Sequence, residues 1–118
     1  MSSPLVGAWE FVSDTHQGVW VFTETHYSAV MMRKDRQRIE GRELTPSEVL
    51  EAYQSVNALS GSYTVSGSRM KLERTANLRA DLIGVDMEAE FTIEGDRMTV
   101  RSISGTSVPR DDVWRKVS

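Results

Sequence analysis

Short runs of β-prone residues, each followed by a turn signal, recur along almost the whole chain. Two of these runs, 69–75 and 85–93, alternate polar and mostly apolar residues with a period of two. Such alternation is typical of strands that turn one face to a core and the other to water. The sequence shows no repeat of a longer fixed period, so a solenoid is excluded. The pattern therefore predicts an all-β barrel or sandwich.

Eight runs have this character, and eight strands suit a closed barrel, which leaves no exposed edges. They cover residues 6–12, 19–23, 26–32, 63–65, 69–75, 85–93, 97–103 and 112–117. Ser13, Asp14 and Gly18 favour a turn after the first run, and Gly95 favours one between the sixth and seventh. We expect one domain, 1–118, because 118 residues build a single core but not two.

One α-helix is predicted between the third and fourth strands. Thr45 is a good N-cap, Pro46 suits the first helical position and Glu48 completes a capping box. The apolar residues that follow at helical spacing are Val49, Leu50, Tyr53, Val56 and Leu59. Gly61 is placed to end the segment. An amphipathic helix of this kind is expected to pack on another element.

Several short motifs follow one another along the chain: LVGAW at 5–9, VFT at 21–23, SA at 28–29, MMR at 31–33, GSY at 61–63, GDRM at 95–98 and VW at 113–114. In this order and spacing they resemble the lipocalin-like domain family, within the calycin group of barrels. The resemblance implies an eight-stranded antiparallel up-and-down barrel with the helix closing or flanking it. It also implies a basic residue near the N-terminal Trp, for which Arg115 and Lys116 are the candidates. A fold of this kind does not by itself imply an activity.

Composition narrows the classes of partner and the compartment. The formal net charge is -3 and the basic residues are spread out, apart from a cluster within 33–38, so neither nucleic acid nor membrane is an expected partner. The chain has no cysteine, which removes disulfides and thiolate chemistry and fits a reducing compartment. The N-terminus lacks the pattern of a secretory signal. We therefore expect a cytoplasmic protein.

Alternation also predicts which side chains point into the barrel, where they either fill it or line a cavity for one small ligand. The predicted inward set is Trp20, Phe22, Tyr27, Met31, Tyr63, Met70, Leu72, Met87, Ala89, Phe91, Met98, Val100 and Trp114. The ligand-binding candidates are Trp20, Phe22, Tyr27, Met31, Tyr53, Tyr63, Leu72, Arg74, Met87, Phe91 and Trp114. Trp9 is interpreted as a plug at one end of the barrel.

Arg74 is the most informative charged residue, because it lies two positions after the predicted inward residue Leu72 in the same alternating run. Either it points inward, where a buried guanidinium needs a carboxylate of the protein or of a ligand, or the strand ends nearby and it reaches solvent. Asn77 and Arg79 follow in a loop that could border the mouth of the barrel.

Motifs for catalysis or metal binding do not stand out. His16 and His26 are the only histidines, and their spacing is not that of metal ligands. The sequence contains no GxSxG motif. Asp86, Glu88 and Glu90 alternate with apolar residues and predict a solvated outer face. We expect no catalytic residue, no metal and no cofactor.

Three functions remain open. The first is non-catalytic binding of a small, largely hydrophobic molecule in the barrel. The second is a small enzyme that isomerises or cyclises an apolar metabolite, with Arg74, Tyr27 or Tyr63 and an acid as its converging polar groups. The third is a solid barrel that serves as an interaction module, with a homodimer as the possible assembly.

Overall fold

The structure, a computed structural model, describes residues 3–38, 43–104 and 111–118. Its elements are β1 (Gly7–Val12), β2 (His16–Phe22), β3 (His26–Arg33), α1 (Pro46–Gln54), β4 (Val56–Ser66), β5 (Arg69–Leu72), β6 (Ala76–Asn77), a short 3-10 helix (Ala80–Leu82), β7 (Met87–Glu94), β8 (Arg97–Ser104) and β9 (Asp111–Lys116). Eight of the strands form a closed antiparallel barrel, which confirms the predicted fold class. The two-residue strand β6 adds a short second pairing to β4.

The barrel has up-and-down connectivity. Each of its strands pairs with the next one along the chain, with β5 next to β7, and β9 returns to pair with β1. The β3–β4 ladder, from His26 opposite Ser62 to Met32 opposite Val56, spans the long connection that contains α1. Because every neighbour in this ring is paired, the described strands of the barrel leave no long edge open.

The period-two pattern correctly assigns the inward face. All of the predicted inward side chains belong to the core, and only Met31 and Met87 among them are half-buried. On the outer face Arg69 pairs with Glu90 and Lys71 with Asp86, each at 3.5 Å. Asp86, just before β7, and Glu90, within it, are therefore exposed on the outer face, as predicted, while Glu88 between them is half-buried.

Trp9 is buried at the start of the first strand. Its indole Nε1 donates to the carbonyl oxygen of Leu5 at 2.9 Å. Lys116 Nζ lies 5.7 Å from the centre of the Trp9 ring, within range of a cation–π contact. Arg115 instead reaches Glu10 at 3.3 Å on the outside. Of the two basic candidates, Lys116 is the one beside the N-terminal Trp.

The helix begins as predicted and ends earlier. Both hydrogen bonds of the capping box are present at Thr45, but α1 ends at Gln54 and β4 begins at Val56. Val56 and Leu59 therefore belong to a strand, and assigning them to the helix was wrong. They pair with β3 through Met32 and Ala29, and this long-range pairing outweighs a local spacing that suits a helix.

The helix α1 contacts β4, but its apolar face is not buried against the described residues, so the expectation of packing on another element is met only in part. None of the nine residues of α1 is buried, and Val49, Leu50 and Tyr53 are 52%, 56% and 41% exposed. In the described ranges, every helix is too short or too polar to cross a membrane.

Gly18, predicted at a turn, lies inside β2, and Gly61, predicted at a helix end, lies inside β4. A Cβ on Gly61 would fall 1.7 Å from the carbonyl oxygen of Glu73, and one on Gly18 would fall 2.2 Å from that of Val30. At these two glycines the strand therefore lies so close to the neighbouring backbone that no residue with a Cβ fits without a shift. Gly61 lies opposite the break between β5 and β6, where residues 73–75 run antiparallel beside β4.

We expect Gly61→Ala to lower the free energy of unfolding by about 3 kcal/mol, because the added methyl group must displace backbone atoms of the neighbouring strand. Gly95→Ala is the control: its φ is +62°, and nothing lies within 4 Å of the new methyl group. That variant should lose only about 1 kcal/mol, the cost of a left-handed backbone. Urea unfolding of both variants measures the difference, and equal losses would contradict the close approach at Gly61.

Candidate functional site

The barrel interior is packed at one end and hollow at the other. The packed end consists of buried residues that do not border the cavity: Leu5, Trp9, Phe22, Tyr27, Tyr63, Met70, Ala89, Phe91 and Met98. The hollow end holds a cavity of about 880 Å³, a size typical of sites for small molecules. Its buried wall consists of Trp20, Ala29, Leu72, Arg74, Val100 and Trp114.

The mouth of the cavity is formed where strands begin or end at the hollow end. Its half-buried or exposed residues are Met31, Asn57, Leu59, Asn77, Arg79, Asp81, Leu82, Val85, Met87, Ser102 and Asp112. The 3-10 helix supplies Asp81 and Leu82. The Gly84 amide after it donates to the carbonyl oxygen of Arg74 at 2.7 Å. This bond ties the loop at the mouth to the deep wall of the cavity.

Two tryptophans separate the hollow end from the packed end. The ring centroids of Trp20 and Trp114 lie 5.1 Å apart in an edge-to-face arrangement. Trp20 also contacts Phe22 of the packed end at 4.7 Å, and Trp114 contacts Phe11 at 4.7 Å. Aromatic contacts of this geometry add to the stabilisation that burial gives. The two indoles therefore form the floor of the cavity.

Three buried polar atoms on residues that border the cavity lack a hydrogen-bond partner among the described residues. They are Nε1 of Trp20, Nε1 of Trp114 and Oδ1 of Asn57. Buried polar atoms are nearly always hydrogen-bonded, as Nε1 of Trp9 is in the packed end. Each of these atoms has less than 1 Å² of accessible surface, so it lies behind the cavity surface rather than on it.

The structure decides the direction of Arg74. The residue is only 3% exposed and borders the cavity, so it points inward. Glu73 and Thr75 keep their backbone bonds to β4, at 2.9 Å to Ser62 and 3.0 Å to Ser60, after β5 has ended. Because these bonds preserve the alternation, Arg74 keeps the inward parity of Leu72 although the regular strand stops there.

Arg74 and Tyr27 influence each other's ionisation. Burial lowers the pKa of Arg74, and Tyr27 opposes that shift. Burial raises the pKa of Tyr27 from its ordinary value of 10.0 to about 12, with a smaller lowering by Arg74 and a further raising by Asp86. The Tyr27 hydroxyl donates to the carbonyl oxygen of Glu73 at 3.1 Å. The neutral phenol is therefore favoured in the folded protein.

The pKa of Tyr27 predicts a loss of stability at high pH. Because its pKa is higher in the folded state, its contribution is complete below pH 10 and is lost as the pH rises from 10 to about 12, by about 2 kcal/mol. Tyr27→Phe lacks the bond to Glu73 and should be about 1 kcal/mol less stable at pH 8. That deficit should shrink between pH 10 and 12, because the variant has no phenol to ionise.

Urea unfolding at pH 8, 10 and 11 measures the deficit of Tyr27→Phe against the unmodified protein. Tyr53→Phe is the control, since Tyr53 is 41% exposed on α1. A deficit of Tyr27→Phe that stays constant over this range would contradict the raised pKa.

The structure brings some of the ligand-binding candidates together and separates others. Those that border the cavity are Trp20, Met31, Leu72, Arg74, Met87 and Trp114. Those in the packed end are Phe22, Tyr27, Tyr63 and Phe91. Tyr53 lies on the exposed α1, away from the cavity wall. Asn77 and Arg79 border the mouth.

Sequence reasoning missed several residues of the cavity wall. Asn57 and Leu59 were hidden because their spacing suited a helix, and Leu82 and Val85 lie on an irregular segment where alternation gives no direction. A signal was available for the first pair, since Val56 is β-branched and Gly61 is followed by more β-prone residues.

Comparison of the chain with models of protein families, with curated proteins and with solved structures finds no match. The closed eight-stranded barrel is compatible with a calycin-like fold, and the lipocalin-like family stays a prediction. Within the ranges that the structure describes, His, Asp and Glu side chains form no group of three or more that could hold a metal ion.

Proposed function

We propose that the protein binds a small, largely hydrophobic molecule in the hollow end of the barrel and does not transform it. The observation that carries this proposal is the cavity of about 880 Å³, whose buried wall is aromatic and aliphatic apart from Arg74. Apolar wall area with a few placed polar groups is the usual character of a small-molecule site. Half-buried Met31 and Met87 near the mouth add flexible apolar contacts.

The two alternatives receive less support. An isomerase or cyclase was expected to use Tyr27 or Tyr63, but both belong to the packed end, where their hydroxyls donate to the carbonyl oxygens of Glu73 and Thr23. Of the three residues named for that enzyme, Arg74 alone borders the cavity, and the acids that border it, Asp81 and Asp112, lie at its mouth. A solid interaction module requires a filled interior, which a cavity of this volume disfavours. Homodimer formation stays a prediction.

This proposal includes a lipocalin-like identity for the chain. Three features support it: the up-and-down order of the strands, the Trp near the start of β1 and the basic Lys116 beside that ring. The cysteine-free sequence supports a cytoplasmic site of action.

A neutral fluorescent probe, N-phenyl-1-naphthylamine, tests for the cavity site without any contribution from charge. We expect the protein to bind it with increased probe fluorescence and Ala29→Phe to weaken binding about tenfold or more, because the new ring occupies the cavity. Val30→Phe is the matched control: it adds the same ring one residue on, where the side chain is 52% exposed on the outer face.

Circular dichroism and thermal unfolding would establish that both variants are folded. Unchanged probe binding in Ala29→Phe, or equal weakening in both variants, would place the probe outside the barrel and contradict the proposal.

A further inference from the structure

The outer surface of the barrel is charged on one side and nearly free of charge on the other. Strands β5, β7, β8 and β9 contain eleven Asp, Glu, Lys and Arg residues among 26. Strands β2, β3 and β4 contain one among the same number, Arg33 at the end of β3. Because the water-facing side of an antiparallel sheet is normally polar, the uncharged side departs from the pattern that the rest of the barrel follows.

Apolar side chains occupy the middle of the uncharged side. Val19 and Val30 lie opposite each other on β2 and β3, and Ala58 of β4 lies opposite Val30. Val19 and Val30 are 43% and 52% exposed, and Val21, the next outward residue of β2, is 43% exposed. An exposed apolar patch of this kind marks an interaction site. We call it the valine face, and its outward residues are Val19, Val21, Ser28, Val30, Met32, Val56, Ala58 and Ser60.

The end of the valine face beside the cavity mouth is basic. Arg33 is already balanced there by two carboxylates, at 3.1 and 3.7 Å. Lys34 instead donates from Nζ to the carbonyl oxygen of Ser13 at 2.7 Å. Nη1 of Arg36 lies 4.0 Å from the sulfur of Met32, on the face itself. Lys34 and Arg36 therefore give this end of the face positive charge.

The other end of the valine face is acidic. Glu24 lies in the turn that joins β2 and β3, where it accepts from the Ser3 amide at 2.9 Å. Glu73 lies beside β4 and accepts from the hydroxyl of Ser62 at 3.0 Å. Both acidic residues are exposed. Because β3 separates the two ends by about 23 Å, which is more than a Debye length in physiological salt, each end keeps its own charge.

This distribution of charge makes the face complementary to a second copy of itself. When two valine faces meet about a two-fold axis that runs across the strands, the basic end of each copy lies over the acidic end of the other and the valines meet in the middle. An isologous contact uses one surface twice in this way. We infer that the valine face is the interface of a homodimer, in which two barrels pack side by side with their cavity mouths pointing in opposite directions.

The size of the valine face suits a weak dimer. The face extends about 23 Å along β3 and about 14 Å across three strands. Since its side chains stand out from the sheet, each copy offers on the order of 500 Å² of accessible surface, and a dimer buries about 1,000 Å², the lower limit of a specific interface. We therefore expect a reversible dimer with a Kd in the micromolar range. Both cavity mouths stay open in it, so the inference does not depend on the proposed function.

Sedimentation velocity of the full chain between about 1 and 500 µM measures the dimer. Val30→Lys should raise the Kd about a hundredfold or more, because the symmetry of the dimer places two new charges in its apolar centre. Thr92→Lys is the matched control. It adds the same side chain in place of another β-branched residue, exposed in the middle of β7 on the charged side, and it should leave the Kd unchanged.

A second set of variants tests how the two copies are aligned. Glu24→Arg and Arg36→Glu each bring like charges together at both ends of the dimer, so each should raise the Kd about fivefold. The double variant restores opposite charges and should return the Kd to within about twofold of the original. Glu94→Arg, at the end of β7, is the control for net charge and should have no effect. A double variant as weak as the single ones would overturn the alignment, and with it the argument for a second copy.

The remaining outcomes also decide. A chain that stays monomeric at about 500 µM overturns the homodimer, even if lipid vesicles or another protein bind the face. If Val30→Lys and Thr92→Lys weaken the dimer equally, or neither weakens it, the interface lies elsewhere. Circular dichroism establishes that the variants are folded, and Val19→Lys replaces Val30→Lys if that variant is not. Binding of N-phenyl-1-naphthylamine should be the same in Val30→Lys as in the unmodified protein, which keeps this test separate from that of the cavity.

Discussion

The pairing of β3 with β4 closes the barrel, and much of the remaining structure depends on it. These strands are separated by the long connection that contains α1, so bringing them together costs more chain entropy than closing any hairpin. This ladder gives backbone hydrogen-bond partners to residues 56–62. Val56 and Leu59, whose spacing suited a helix, therefore belong to a strand. The ladder also positions Gly61 opposite the break after β5, where the backbone at Glu73 comes too close to β4 for any residue with a Cβ.

The pairing of this segment with β4 also explains why the charged side chain of Arg74 lies inside the barrel. Backbone bonds from 73 and 75 to β4 hold the segment between β5 and β6 in register although the strand itself is interrupted. Arg74 therefore keeps an inward direction that an ordinary strand end would have released to solvent. The bond from Gly84 to its carbonyl oxygen then fixes the loop that forms part of the mouth. Closure, the buried cation and the shape of the opening are thus linked through one strand pair.

The two ends of the barrel differ because of side-chain volume. Phe22, Tyr27, Tyr63 and Phe91 fill the packed end together with Trp9, and dense apolar packing there supplies much of the hydrophobic stabilisation. In the hollow end, small or unbranched side chains such as Ala29 and Ser102 face the interior and leave space between the strands. The barrel can tolerate a cavity at one end because the other end is packed like an ordinary core.

Local physical chemistry in the sequence determined the fold class, the inward set and the start of the helix. Alternation needs only neighbouring residues, and the capping box at Thr45 forms within one turn, so neither depends on distant contacts. The end of the helix was decided by β3, a partner remote in sequence. The direction of Arg74 was decided by bonds to β4 across a strand break, where parity alone is ambiguous. The strand register around the closed barrel decided which inward residues pack, such as Tyr27, and which border the cavity, such as Trp20. Alternation with period two predicts the face on which a residue lies, but not its height along the barrel axis.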